Sequence, residues 1–147
     1  MNVFELLKKD HREVEGIFAK LEETTERAEK TRAELFAKLK QELDIHARVE
    51  ETIYYPTIKR AAETRAITLE GFEEHHVIKV LLEELAGMEP TTEQWTAKLK
   101  VLKETVEHHV EEEEGEMFKS TREVLTREQL EALGAEMEEE KKRLKQK

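Results

Sequence analysis

The chain has 147 residues with 25 Lys and Arg against 35 Asp and Glu, a formal net charge of −10. That length fits a single domain (1–147) with a real core, and the acidic balance argues against nucleic acid as a partner, because phosphate binding wants a basic face. The absence of cysteine excludes disulfides, thiolate zinc sites, iron–sulfur clusters and thiol catalysis.

Met1 to Asp10 alternates apolar and charged residues, without a stretch of signal-peptide length. No apolar run reaches membrane-spanning length, so the expectation is a cytoplasmic protein with no membrane partner. Asn2 with Glu5 three residues on reads as a capping box, which starts a first helix at Val3. Its apolar face is Val3, Leu7, Val14, Phe18 and Leu21, and Thr24 and Thr25 mark its end. A second helix runs from about Thr31 to Ala62 with Leu35, Leu39, Leu43 and Ile53 inward. Pro56 lies inside it and predicts a kink or local break. A third helix covers roughly Leu69 to Ala86 through Phe72, Ile78, Leu82 and Leu85, and Gly87 and Pro90 end it. Thr91 with Gln94 reads as the cap of a fourth, running to about Lys119 through Trp95, Leu99, Leu102 and Val106. Thr126 with Gln129 caps a fifth, over about 127–146, whose stripe of Leu130, Leu133, Met137 and Leu144 is narrow. Short loops between amphipathic helices predict an all-α, up-down-up-down four-helix bundle. The fifth helix is expected to cap one end of it, with a partner contact as the alternative. The basic run Lys141 to Lys147 is read as a solvated helix end.

The six histidines fall at four places, one on each long helix: His11, His46, the pair His75-His76 and the pair His108-His109. His11 continues the stripe Leu7, Val14, Phe18. His46 and Glu50 continue Leu39 and Leu43, His75 sits between Phe72 and Ile78, and His109 and Glu113 follow Val106. Buried imidazoles and carboxylates need partners, so these residues either form a hydrogen-bonded polar core or share metal. His46 and Glu50 are four apart, as are His109 and Glu113. On a helix such a pair lies on one face and can ligate one ion, or ligate one and bridge to another.

The chain also repeats itself. A shift of 64 places Asp10-His11 on Glu74-His75 and Val14 on Ile78. A shift of 63 places His46 on His109, Glu50-Glu51 on Glu113-Glu114 and Tyr55 on Phe118. Two helical hairpins, about 1–64 and 65–122, would converge about a pseudo-twofold axis on a pair of metals. The register selects His75 over His76, which is rotated by about 100°, and His109 over His108. His76 and His108 are expected to flank the site.

The order His, His-x-x-x-Glu, His, His-x-x-x-Glu resembles the hemerythrin-like family, also called the HHE cation-binding domain. The matching stretches are Asp10-His11-Arg12-Glu13-Val14, His46-Ala47-Arg48-Val49-Glu50-Glu51, Glu74-His75-His76-Val77-Ile78 and His108-His109-Val110-Glu111-Glu112-Glu113, with Tyr54-Tyr55-Pro56 after the second. The likeness covers about residues 1 to 120. It implies two non-haem iron ions inside the bundle, with His11, His46, His75 and His109 as nitrogen ligands. Glu50 and Glu113 would be bridging carboxylates beside an oxo or hydroxo bridge. It also implies a fifth histidine four residues after the third-helix ligand, where this chain has Lys79. That departure disfavours simple oxygen carriage and favours an open position on one iron. Tyr54, one helical turn past Glu50, is expected either to approach the site or to pack in the core.

By this resemblance the ligand is dioxygen, nitric oxide or peroxide, for sensing, carriage, storage or detoxification, with any protein partner unknown. Imidazole and carboxylate without sulfur suit iron, manganese or zinc. The alternatives are a metal-free or zinc-binding interaction bundle and a ferritin-like di-iron oxidase. The last wants two Glu-x-x-His motifs, and Glu73 with His76 makes one. Neither a hydrolase nor a nucleotide-binding motif is present, so whether the chain is an enzyme stays open.

Overall fold

A computed structural model describes residues 1–146. Among them every regular element is a helix and none is a strand. The elements are α1 (Val3–Glu22), α2 (Glu29–Val49), a π-helical turn π1 (Glu50–Tyr54), α3 (Tyr55–Lys59), α4 (Ala62–Ala86), α5 (Glu93–Glu112), a second π-helical turn π2 (Glu113–Met117), α6 (Phe118–Val124) and α7 (Arg127–Lys145). The predicted second helix is thus α2, π1 and α3 in series, and the fourth is α5, π2 and α6. The capping boxes at Asn2–Glu5 and Thr126–Gln129 form as expected. The fourth helix is capped by Thr92, whose hydroxyl takes the Trp95 N–H, and not by Thr91. The third begins at Ala62 rather than near Leu69, because buried Thr64 and Thr68 extend its inward face with hydroxyls bonded back to Ile58 and Thr64 carbonyls.

The predicted break at Pro56 takes a definite form. Proline has no N–H for the carbonyl one turn back. The helix widens just before it, and the Tyr55 N–H reaches the Glu50 carbonyl, five residues back. The second π turn has no proline near it, yet starts at the equivalent glutamate, with the Phe118 N–H on the Glu113 carbonyl. Each π turn inserts one residue into the helical register.

Helices α1 and α2 pack against each other, as do α4 and α5. Their apolar stripes make one cluster towards the α1–α2 and α4–α5 loops, built on Phe18, Leu21, Leu39, Leu82, Leu85, Trp95 and Leu102. Arg32 ties those two loops together. Its guanidinium donates to Thr24 Oγ1, the Pro90 carbonyl and Thr96 Oγ1 at 2.8–3.0 Å and lies over the Trp95 ring. A second cluster fills the opposite end with Phe4, Leu7, Val49, Ile58, Phe118 and Met137. Helix α7 lies along α1, α2 and π1 and closes this end with Leu133 and Met137, the covering role expected of it. No helix of the described residues is long and apolar enough to cross a membrane.

Candidate metal centre

Between the two apolar clusters lies a buried polar layer: His11, His46, Glu50, His75, His109 and Glu113, each no more than 6% exposed. All six candidate residues meet there. Their ring and carboxylate atoms form two triads, His11–His46–Glu113 and Glu50–His75–His109, with one donor atom of each residue within 4.8 Å of the others in its triad. Both glutamates reach across the triads. Glu50 Oε1 lies 3.1 Å from His46 Nε2 and 3.0 Å from His75 Nε2. Glu113 lies 2.9 Å from His11 Nε2 through Oε1 and 3.4 Å from His109 Nε2 through Oε2.

These approaches do not satisfy the groups that make them. His11 Nε2, His46 Nε2, Glu50 Oε2 and Glu113 Oε1 are buried and have no hydrogen-bond partner. A polar core held together by hydrogen bonds would not leave four such atoms pointing into one space, because each orphan costs about 1–3 kcal/mol or more. Donors converging at contact distance without hydrogen-bond alignment are what a ligand shell presents.

The outer ring nitrogens are all held. His11 Nδ1 bonds Glu114 at 2.6 Å, His46 Nδ1 bonds Asp10 at 2.9 Å, His75 Nδ1 bonds Glu51 at 2.9 Å and His109 Nδ1 bonds Glu74 at 2.6 Å. A carboxylate behind an imidazole fixes its tautomer, turns Nε2 inward and raises its basicity, the usual support of a metal-binding histidine. The pattern obeys the repeat: the acid preceding the first histidine of each half holds the second, and the acid following each central glutamate holds the first histidine of the other half. Sequence reasoning aligned Asp10 with Glu74 and Glu51 with Glu114 but gave them no role; their recurrence beside the ligands was the signal.

Burial alone would push the His46 imidazole down, but the Glu50 and Asp10 carboxylates outweigh it and hold it well above its ordinary value. His109, buried beside Glu113, Glu50 and Glu74, is likewise held well above it, and His75 is raised by Glu50 and Glu51 against its burial. Burial would raise Glu50, but His46 and its other neighbours hold it well below the usual carboxylate range. In the metal-free layer the neighbouring carboxylates thus favour the protonated form of His46, His75 and His109, and the imidazoles favour the ionised form of Glu50.

Tyr55, not Tyr54, enters the site. Its hydroxyl donates to Glu113 Oε2 at 2.8 Å and lies 3.3–3.4 Å from His75 Nε2, His109 Nε2 and Glu50 Oε1. Burial, with the charges of Glu113 and Glu50, keeps the phenol protonated, well above its ordinary range. Tyr54 instead bonds Thr121 Oγ1 at 2.8 Å in the apolar end. The one residue inserted by π1 moves Tyr54 off the face of Glu50 and brings Tyr55 onto it. Lys79 is exposed and His76 points to solvent. Both line a cavity of about 520 Å³ between α2 and α4 whose floor includes His11, His46, His75 and His109.

The profile of the hemerythrin HHE cation-binding domain matches residues 2–120. The chain belongs to that family. A crystal structure of an HHE domain protein from Mycobacterium kansasii, described as a homologue of Rv2633c, superposes with a TM-score of 0.84 at 30% identity. The match covers 98% of this chain and 87% of that one. The uncharacterized protein Rv2633c of Mycobacterium tuberculosis is 29% identical over 141 residues, 93% of this chain and 83% of its own length. A DNA nickase of Nostoc is 28% identical over 146 residues, 99% of this chain but 41% of the nickase. The expected helical bundle thus stands within a cation-binding family, and its buried His–Glu triads are of the kind that binds metal.

Proposed function

We propose that this HHE domain is a cytoplasmic non-haem di-iron protein that binds dioxygen or a related small ligand, nitric oxide or peroxide. His11, His46 and Glu113 would hold one iron, and Glu50, His75 and His109 the other. The observation that carries this reading is the set of four buried, partnerless donor atoms aimed into one space. Glu50 and Glu113 each face both triads, as carboxylates shared by two ions do. A bound iron pair supplies electrons to, and binds, small oxygen or nitrogen ligands. The chain's own residues do the rest. The four outer carboxylates orient the imidazoles, and Val14, Leu43, Ile78 and Leu82 line the approach cavity with apolar surface. Tyr55 presents a neutral hydroxyl at the triad where a fifth histidine is missing. Strand cleavage is not carried over from the Nostoc nickase, since this chain matches 41% of that protein and carries a net charge of −10.

The test is elemental analysis of iron-reconstituted protein together with its near-ultraviolet and visible spectrum, reduced and then exposed to air, nitric oxide or peroxide. Two irons per chain and a charge-transfer band that responds to one of these ligands are expected. One ion or none, or a silent spectrum, overturns the proposal.

A further inference from the structure

The basic run that closes the chain is not solvated throughout. Lys142, Arg143 and Lys145 are exposed, but Lys141 lies one turn beyond Met137 on the inward stripe of α7, and its side chain is only 12% exposed. Its stem follows the apolar face, and its ammonium donates to Asp10 Oδ1 on α1. The other oxygen, Oδ2, holds His46 Nδ1 at 2.9 Å. A chain of polar contacts therefore runs from α7 through Asp10 to an imidazole whose Nε2 faces the buried centre without a hydrogen-bond partner.

The repeat shows why Asp10 needs this partner. The other three outer carboxylates, Glu51, Glu74 and Glu114, have side chains 23–39% exposed, so water screens their charge. Asp10, covered by α7, is 5% exposed. A buried carboxylate without a countercharge is costly. Metal requires neutral imidazole, so on loading His46 offers Asp10 a dipole and no charge. Among the described residues, Lys141 is then the one cation paired with it. Lys141 also lies beyond residues 2–120, the part that the family profile matches.

We propose that Lys141 is a positioning residue of the metal centre, which holds the Asp10 carboxylate behind His46 and so sets the affinity of the ion bound by His11, His46 and Glu113. The inference rests on the di-iron reading and makes α7 a working part of the site as well as its cover. The effect is confined to one ion, because the Glu50–His75–His109 triad takes its outer support from Glu51 and Glu74. By linkage, loading the first triad strengthens the hold of Lys141 on Asp10 and fixes α7 against the bundle.

Titration of the metal-free 147-residue chain with Co²⁺, followed by calorimetry and visible absorption, tests this. Lys141→Met keeps the bulk of the side chain and removes its charge. It is expected to weaken about tenfold the ion that His11→Ala abolishes, and to leave the other ion unchanged. Lys141→Arg is expected to restore the affinity. Lys145→Met, which breaks a different α7 pair, 3.6 Å from Glu42, is expected to change neither ion. In an Asp10→Asn background Lys141→Met should have no further effect, because an amide needs no countercharge. Amide exchange gives a second readout: Co²⁺ should slow exchange in α7 of the wild type and not of Lys141→Met. An equal loss in both Asp10 backgrounds would mean that Lys141 acts only by packing α7, and overturns the proposal. Two ions, both indifferent to Lys141→Met, overturn it alone, whereas a wild type that takes no ion overturns the di-iron reading and this inference with it.

Discussion

Tyr55 touches both triads through one hydroxyl. Its hydroxyl is the neutral donor to Glu113, and Tyr55→Phe leaves that buried carboxylate without it. The loss of a hydrogen bond to a charged group is expected to cost the metal-free protein about 1.5–3 kcal/mol, measured by urea unfolding, and to shift the charge-transfer band of the loaded protein. Gly71 reports on the same ring. A Cβ there would sit 3.0 Å from the Tyr55 Cζ and hydroxyl, so Gly71→Ala displaces the phenol and should reproduce the spectral shift of Tyr55→Phe. The paired histidines give a sharper contrast. His75→Ala removes an imidazole held between Glu50 and Glu51 and is expected to lose metal on dialysis, whereas His76→Ala retains it. Metal loss from His76→Ala with retention in His75→Ala would refute the register assigned to α4.

At the scale of the elements, α7 depends on one glycine. A Cβ on Gly134 would fall 2.2 Å from the Met1 carbonyl oxygen and 2.6 Å from the Asn2 carbonyl carbon, backbone that cannot swing aside. Gly134→Ala must lift α7 from the start of α1. The expected loss is about 1–3 kcal/mol in urea unfolding, with faster tryptic cleavage at Lys141-Lys142-Arg143. The same elements show what could be read in advance. The apolar stripes and the His-x-x-x-Glu spacing of α2 and α5 located the bundle and its six inward polar residues, because both depend only on helical periodicity. The π turns did not follow from periodicity. Pro56 announced a disturbance but not its kind, and nothing near Gly115 announced the second. Counting four residues from Glu50 therefore pointed to Tyr54 when the widened turn delivers Tyr55. Which imidazole each outer carboxylate holds was hidden too, since every such partner lies on another helix, up to 103 residues away for His11 and Glu114.

For the whole molecule, the layer of opposed charges sets how stability follows pH. In the metal-free protein His46, His75 and His109 are raised above 6.5. Their contribution is fully present below that value and is lost as pH rises through the folded values. Glu50 is lowered below 4.5, so its contribution is present above 4.5 and is lost as pH falls through its folded value. The metal-free protein should be most stable in mild acid, between these two ordinary values, and melt at lower temperature as pH rises past neutrality. Metal requires neutral imidazole and must displace these protons, so the gain in melting temperature on loading should widen from pH 6 to pH 8. Scanning calorimetry of both forms measures it. Equal melting temperatures at pH 7 would mean that these groups are a polar core and nothing more.

Each triad takes two imidazoles from one half of the chain and its carboxylate from the other: His11 and His46 with Glu113, His75 and His109 with Glu50. On the proposed assignment neither half encloses an ion by itself, and every ion rivets the halves together. Opening one hairpin then means surrendering both ions at once. Backbone amides of α1 and α5 that exchange with solvent by partial opening in the metal-free chain would exchange in the loaded chain only when the whole molecule unfolds. The centre thereby turns two similar hairpins into one cooperative unit, and its loading is legible in the exchange rates of residues far from any ligand.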